Sequence, residues 1–237
     1  MGFIKPFLYS IHKGLLLAVV LCCWLLACTP AAPSSSQPLG PPLPDPLTFF
    51  HLPTQQPLPP DSLAPSELAL LQAGDVLLRK GYGWISEYIV ATLEEPCAIS
   101  HCGLLVKQGE TLAVLHTASS QEQEGLLVEP LEEYIQQSQA HSLVAIRPKG
   151  SLAQQQQLLA LAQSYSKKDI PFDYHFDDQD AQALYCVELL RDLFLEAFEQ
   201  DYLPLHYARG ELSLLGFQNF FDTTNFSPLF NHCNTIK

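Results

Sequence analysis

The sequence predicts an α+β domain in which a small antiparallel sheet is packed with helices. Three observations carry this expectation: several short apolar stretches reverse near Gly109 and Gly125, other stretches place apolar residues at three-four spacing, and the order is helix, strand, helix, several strands, then two helices.

Taken in order, Pro65-Ser66-Glu67 opens a short helix, "PSELALLQA", which Gly74 ends, and "GDVLLRK" follows as a strand with Asp75 at its mouth. In "GWISEYIVATLEEP", Trp84, Ile85, Tyr88, Ile89 and Leu93 mark a helix with one buried face that stops before Pro96. "ISHCGLLVKQ", "LAVLHTAS" and "LLVEPLEEYI" are three successive strands, the last passing into a short helix, and "SLVAIRPK" is another strand. Ser151 caps the helix "LAQQQQLLALAQSYS". After the loop "KKDIPFDYHFDD", the stretch "AQALYCVELLRDLFLEAFEQ" lines Val187, Leu190, Phe194 and Phe198 along one helix face. Residues 201–237 are rich in aromatics and leucine without a period, and they are expected to fold back over the domain.

Ahead of this domain stand two segments of different character. Lys5, His12 and Lys13 precede an uncharged run from Gly14 to Ala27, the layout of a secretory signal over residues 1–27. The run is shorter than the ~18 residues a membrane-spanning helix needs, which favours cleavage over a permanent anchor. Residues 28–61 are dense in Pro, Ser and Gln, a stiff tether without chemistry, and residues 62–237 have the size of one domain.

Removing residues 1–27 takes away Lys5 and Lys13 and no acidic residue, so of 12 basic residues 10 remain against 25 acidic ones. This balance disfavours nucleic acid and anionic membrane surfaces as partners. Seven cysteines are present: Cys22 and Cys23 lie in the signal, Cys28 follows it, and Cys97, Cys102, Cys186 and Cys233 belong to the domain. In an oxidising compartment each of these four is bridged, buried or functional. If Cys186 is free, one other must be free too, and a buried Cys102 is the candidate.

Alternation along "SHCGLLV" puts His101 and Gly103 on one face of the sheet and Cys102 and Leu104 on the other. On the following strand His116 points away from the face of Leu115, so pairing of the two strands brings both imidazoles together, with Gly103 leaving room beside them. Cys186 lies near a helix N-terminus, where unpaired N–H groups lower a thiol's pKa and can bind an oxyanion. A single strand histidine or buried cysteine is ordinarily core filling; the joint occurrence points to nucleophilic catalysis. No metal-ligand spacing is present, and no cofactor is expected.

With "GDVLL", "SHCGLLV", the loop "FDYHF" and "YCVEL" in view, Gly74 to Phe198 resembles the YiiX-like, circularly permuted relatives of the NlpC-type papain-fold cysteine hydrolases, in which the histidine precedes the cysteine. The resemblance implies the permuted papain-like fold, Cys186 as nucleophile and His101 as general base, with Tyr185, Asp173 and His175 bordering the cleft. The family's third polar residue, usually Glu, falls on His116; a histidine there is similar to the His-His-Cys arrangement of the lecithin retinol acyltransferase relatives. Leu25-Leu26-Ala27-Cys28 resembles a bacterial lipobox, which implies lipidation of Cys28 and attachment to the cell envelope, at the outer membrane facing the periplasm. Three functions follow as expectations: an amidase acting on cell-wall peptides, a lipid-directed thioesterase or acyltransferase, and a non-catalytic envelope binding module.

Overall fold

The structure, a computed structural model, describes residues 57–93, 95–119, 123–176, 182–209 and 212–233. The signal segment, Cys28 and most of the tether lie outside these residues. Among the described residues no helix is long and apolar enough to cross a membrane.

Six strands form one antiparallel sheet in the order β4-β3-β2-β1-β5-β8, with β1 Val76–Arg79, β2 His101–Gln108, β3 Thr111–Ser119, β4 Glu124–Pro130, β5 Val144–Pro148 and β8 Phe226–Asn231. Both faces of this sheet are covered. Every residue of β1 is buried, which is why "VLLR" reads as a continuous run rather than an alternation. Val76, Leu78, Cys102, Leu104, Leu115, Val144 and Ile146 form one face, packed against α4 (Leu152–Tyr165) and α5 (Cys186–Phe198). Leu77, Leu105, Val114 and Ala145 form the other, under Leu71 and Tyr134. Tyr134 comes from α3, Leu131–Gln136.

The three longer predicted helices are present, the last as α5. Ser151 caps α4 by accepting the Gln154 N–H at 3.3 Å, and α2 covers Trp84–Leu93. The first helix is shorter than expected: α1 is Pro65–Leu68, capped at its start by Glu67 Oε2, which accepts the Ala64 N–H at 2.7 Å, and beyond it the Leu70 and Leu71 N–H groups bond back only three residues, to the Glu67 and Leu68 carbonyls. Packing also begins before Ser62, since Asp61 Oδ2 accepts the N–H groups of Ser142 and Leu143 at 3.2 and 3.1 Å.

The aperiodic C-terminal segment holds more regular structure than its sequence suggests. It forms a hairpin of β6 (His206–Arg209) and β7 (Leu212–Leu215), a 3-10 turn over Phe217–Phe221, and then β8. β8 pairs with β5 at the sheet edge, where Pro228 is tolerated and the register shifts beside Ala145. A disulfide joins Cys97, before β2, to Cys233, after β8, while Cys102 and Cys186 are free and buried.

Candidate active site

Backbone geometry creates the site. The β2–β3 ladder runs from Gln108↔Thr111 to Leu104↔Leu115 and stops there, whereas β3 continues against β4 to Ser119↔Glu124 and β2 continues against β1 to Arg79↔His101. The two strands therefore part just beyond Leu104. Cys102, which would next face Thr117, has its N–H released from the ladder, and this N–H is turned on the Cys186 sulfur.

Cys186 is the first residue of α5, not a residue inside it. Tyr185 is extended (φ −98°, ψ 170°), and its N–H donates to Glu188 Oε2 at 3.3 Å, so Glu188 stops the helix from continuing backwards. This places the thiol on the ring of unpaired N–H groups. Its pKa is lowered, chiefly by a hydrogen bond with the Cys102 thiol, against the opposing effect of burial and with help from the N–H groups of Cys102, Val187 and Cys186 itself. Cys102 carries the counterpart: burial, together with Cys186, pushes its thiol well up.

His101 and His116 meet as alternation predicts. His101 Nε2 and His116 Nδ1 are 2.8 Å apart, with the rings edge to face. Gly103 makes the approach possible, because a Cβ on it would stand 3.1 Å from His116 Cβ. Burial lowers both imidazole pKa values, that of His101 well below the usual range, so both rings are neutral at neutral pH; Arg79 pushes the same way on each.

Behind His116 stands a residue that sequence reasoning missed. Glu129 Oε2 lies 3.3 Å from His116 Nε2, without the alignment of a full hydrogen bond, and Glu129 Oε1 accepts Gln137 Nε2–H at 2.8 Å. Both residues are buried, His116 at 2% exposure and Glu129 at 5%. The signal was a lone carboxylate in the strand "LLVEP"; only the β3–β4 register, with His116 opposite Leu127, puts it next to His116. Arg79 completes the surroundings, its guanidinium 4.0 Å above the Tyr134 ring and Nη1 donating to the Tyr134 carbonyl at 2.7 Å.

Cys186, His101, His116 and Glu129 line one cavity of about 460 Å³. Cys186 and His101 share this cavity without a hydrogen bond to each other, and catalytic contacts in such sites can tighten only once substrate is bound. A second, small cavity of about 30 Å³ shares Cys186, Ile89 and Phe176 with the first and is otherwise walled by side chains such as Leu93, Val187 and Leu215. Tyr185 borders this second cavity, with its hydroxyl accepting the Leu215 N–H at 3.2 Å. From the loop before α5 it is Phe172 and Phe176 that line the main cavity, not Asp173 and His175; Asp173 is turned inward to accept the His175 N–H at 2.7 Å. His232 is held between Asp61 and Glu67, at 3.1 and 2.9 Å.

The chain's fold is similar to the crystal structure of the metalloprotein YiiX from Escherichia coli O157:H7, with a TM-score of 0.55, 19% identity, and coverage of 68% of this chain and 97% of that one. None of the curated proteins matches the chain. Among the described residues no group of three or more His, Cys, Asp or Glu side chains is arranged to hold a metal ion. The His101–His116 nitrogens at 2.8 Å are also closer than the roughly 3.3 Å that separates two nitrogens on one tetrahedral zinc, so these residues do not fit a metal site. Residues 70–203 match the family described as permuted papain-like amidase enzymes, YaeF/YiiX, C92, which covers more than half of the sequence and ends within the segment that follows α5. The histidine-bearing strands β2 and β3 preceding the cysteine-bearing helix, the six-stranded antiparallel sheet and this match agree, and the chain belongs to the permuted papain-like amidase family YaeF/YiiX, a family of cysteine hydrolases.

Proposed function

We propose that the protein is a cysteine amidase of the cell envelope that cleaves peptide amides, with Cys186 as nucleophile, His101 as general base and His116 as the group that orients it. The observation that carries this reading is the placement of Cys186: first residue of α5, pKa lowered, and open to the cavity that the His101–His116 pair also lines. Cys186 Sγ attacks the amide carbonyl and N–H groups of the first turn of α5 stabilise the oxyanion. His101 passes the thiol proton to the leaving amine, then takes one from the water that hydrolyses the thioester. Cell-wall peptides are the proposed substrate class, reached through a lipid on Cys28 and the Pro-rich tether; the Cys97–Cys233 disulfide supports an oxidising compartment.

A second reading, acyl transfer or thioester hydrolysis on a lipid, draws on the apolar lining of the small recess at Cys186 by Ile89, Leu93, Val187 and Leu215, which at about 30 Å³ has the volume of one water molecule and would have to open to take an acyl chain. Incubating the full chain with cell-wall peptides and phospholipid, with Cys186→Ala as control, separates the two. Cysteine-dependent peptide fragments support the amidase; cysteine-dependent free fatty acid or a transferred acyl chain overturns it in favour of the lipid reading. Labelling with radioactive fatty acid in wild type and Cys28→Ala tests the anchor, and equal labelling removes it.

A further inference from the structure

We propose that Glu129 is a positioning residue that, acting through His116, decides which ring nitrogen of His101 carries a proton. The proposal rests on the Cys186–His101 reading above and extends that pair into a chain of four groups. His101 Nε2 and His116 Nδ1 share one hydrogen bond at 2.8 Å, so one nitrogen donates and the other accepts. For His101 to take a proton from Cys186 on its remaining nitrogen, Nδ1, that nitrogen must be unprotonated, and the ring proton must sit on Nε2. His116 Nδ1 is then the acceptor, and the His116 proton sits on Nε2.

Glu129 is the residue that enforces this direction. Its Oε2 is an acceptor only, 3.3 Å from His116 Nε2, and it favours the tautomer in which that nitrogen bears hydrogen. Without the carboxylate, His116 is free to carry its proton on Nδ1. It would then donate to His101 Nε2, drive the His101 proton onto Nδ1, and leave His101 without a free nitrogen to take the thiol proton. Once His101 has taken the proton, its cation is two links from the Glu129 charge.

The carboxylate is built in. Gln137 Nε2 holds Oε1 at 2.8 Å, and Glu129 is fixed in β4, one strand beyond His116. His116 Nε2 and Glu129 Oε2 are both buried without a full hydrogen bond to any other group, an expensive arrangement unless the two serve each other. The other charged or titratable groups around the imidazoles are Arg79 from β1 and Tyr134 from α3; both already bond elsewhere, Arg79 Nη1 to the Tyr134 carbonyl and the Tyr134 hydroxyl to the Leu77 carbonyl at 3.3 Å. A histidine in the third position is thus supplied with the carboxylate it displaced, from the next strand.

The test needs no known substrate. Full-length wild type, Glu129→Gln and His101→Ala are alkylated with iodoacetamide across a pH series, the Cys186 adduct is followed by peptide mass mapping, and histidine tautomers are read from ¹⁵N chemical shifts. Gln is isosteric, so the fold is kept while an acceptor becomes a group that also donates. The expected result is a Cys186 rate about tenfold lower at neutral pH in Glu129→Gln, a midpoint raised by about one unit, and His116 changing from the Nε2–H to the Nδ1–H form. Unchanged tautomers and an unchanged pH profile in Glu129→Gln overturn the proposal while the Cys–His pair stands. An unchanged profile in His101→Ala overturns the pair itself, and the proposal with it.

Discussion

Gly103 lies directly against His116: a methyl group on Gly103 would stand 3.1 Å from His116 Cβ and would also press on Val114 Cγ1 and on the Leu115 carbonyl at 3.1 Å. The glycine is therefore the spacer that lets the histidine-bearing strands meet at the site.

Gly103→Ala is expected to destabilise the protein by about 1–3 kcal/mol, the usual result of forcing an extra carbon into a packed interior, and to displace His116 from His101. Thermal unfolding together with Cys186 alkylation checks this. A variant with wild-type stability and alkylation rate would show that β3 yields without disturbing the pair.

Cys102→Ala removes the thiol that hydrogen-bonds to Cys186 and is the largest contribution lowering the Cys186 pKa. The Cys186 pKa is then expected to rise, so its alkylation midpoint moves to higher pH, while the small loss of volume at a buried site costs little stability. A midpoint that stays put or falls would assign the lowering to the helix N-terminus alone.

The Cys97–Cys233 bond spans a sequence separation of 136 residues and ties β8 to the start of β2. Chain-entropy reasoning sets a ceiling of about 5 kcal/mol for a loop of this size, and about 2–4 kcal/mol is typical. Cys97→Ala with Cys233→Ala is expected to lower the thermal midpoint by several degrees, as reducing agent does to the wild type. Equal midpoints for oxidised and reduced protein would mean that the β5–β8 pairing is self-sufficient.

His232 bridges Asp61 and Glu67. Burial lowers its pKa, yet the hydrogen bonds to Glu67 and Asp61 outweigh burial and hold it above the usual 6.5. The stabilisation is then fully present below about 6.5 and is lost as pH rises through the folded-state value. For Glu67 and Asp61, held below 4.5 and 3.8, it is lost only as pH falls through their lowered values. His232→Gln is therefore expected to lower the melting temperature most at mildly acidic pH, near about 6, with the gap to wild type closing towards alkaline pH. A gap that is constant or widens towards alkaline pH would remove the ionic bridge from the account.

Much of the site was legible because it depends on short periods. Alternation along "SHCGLLV" and "LAVLHTAS" suffices to put His101, Gly103 and His116 on one face and Cys102 on the other, and the α5 pattern suffices to bury Val187, Leu190, Phe194 and Phe198. The loop was read less well. Asp173 and His175 are the polar residues of "FDYHF", but the side chains that reach the cavity are the two phenylalanines, since Phe172 is pinned by its parallel bridge to Leu184.

By itself, then, the sequence determined the element types and the facial placement of the two histidines, both consequences of backbone geometry repeated every two or 3.6 residues. Tertiary structure alone decided that β8 extends the sheet, that Cys97 takes Cys233, that Cys102 rests against Cys186, and that Glu129 stands behind His116. These four relationships join segments whose approach is set by strand register and packing across the sheet, and no local period in the chain encodes which distant residue arrives at a given place.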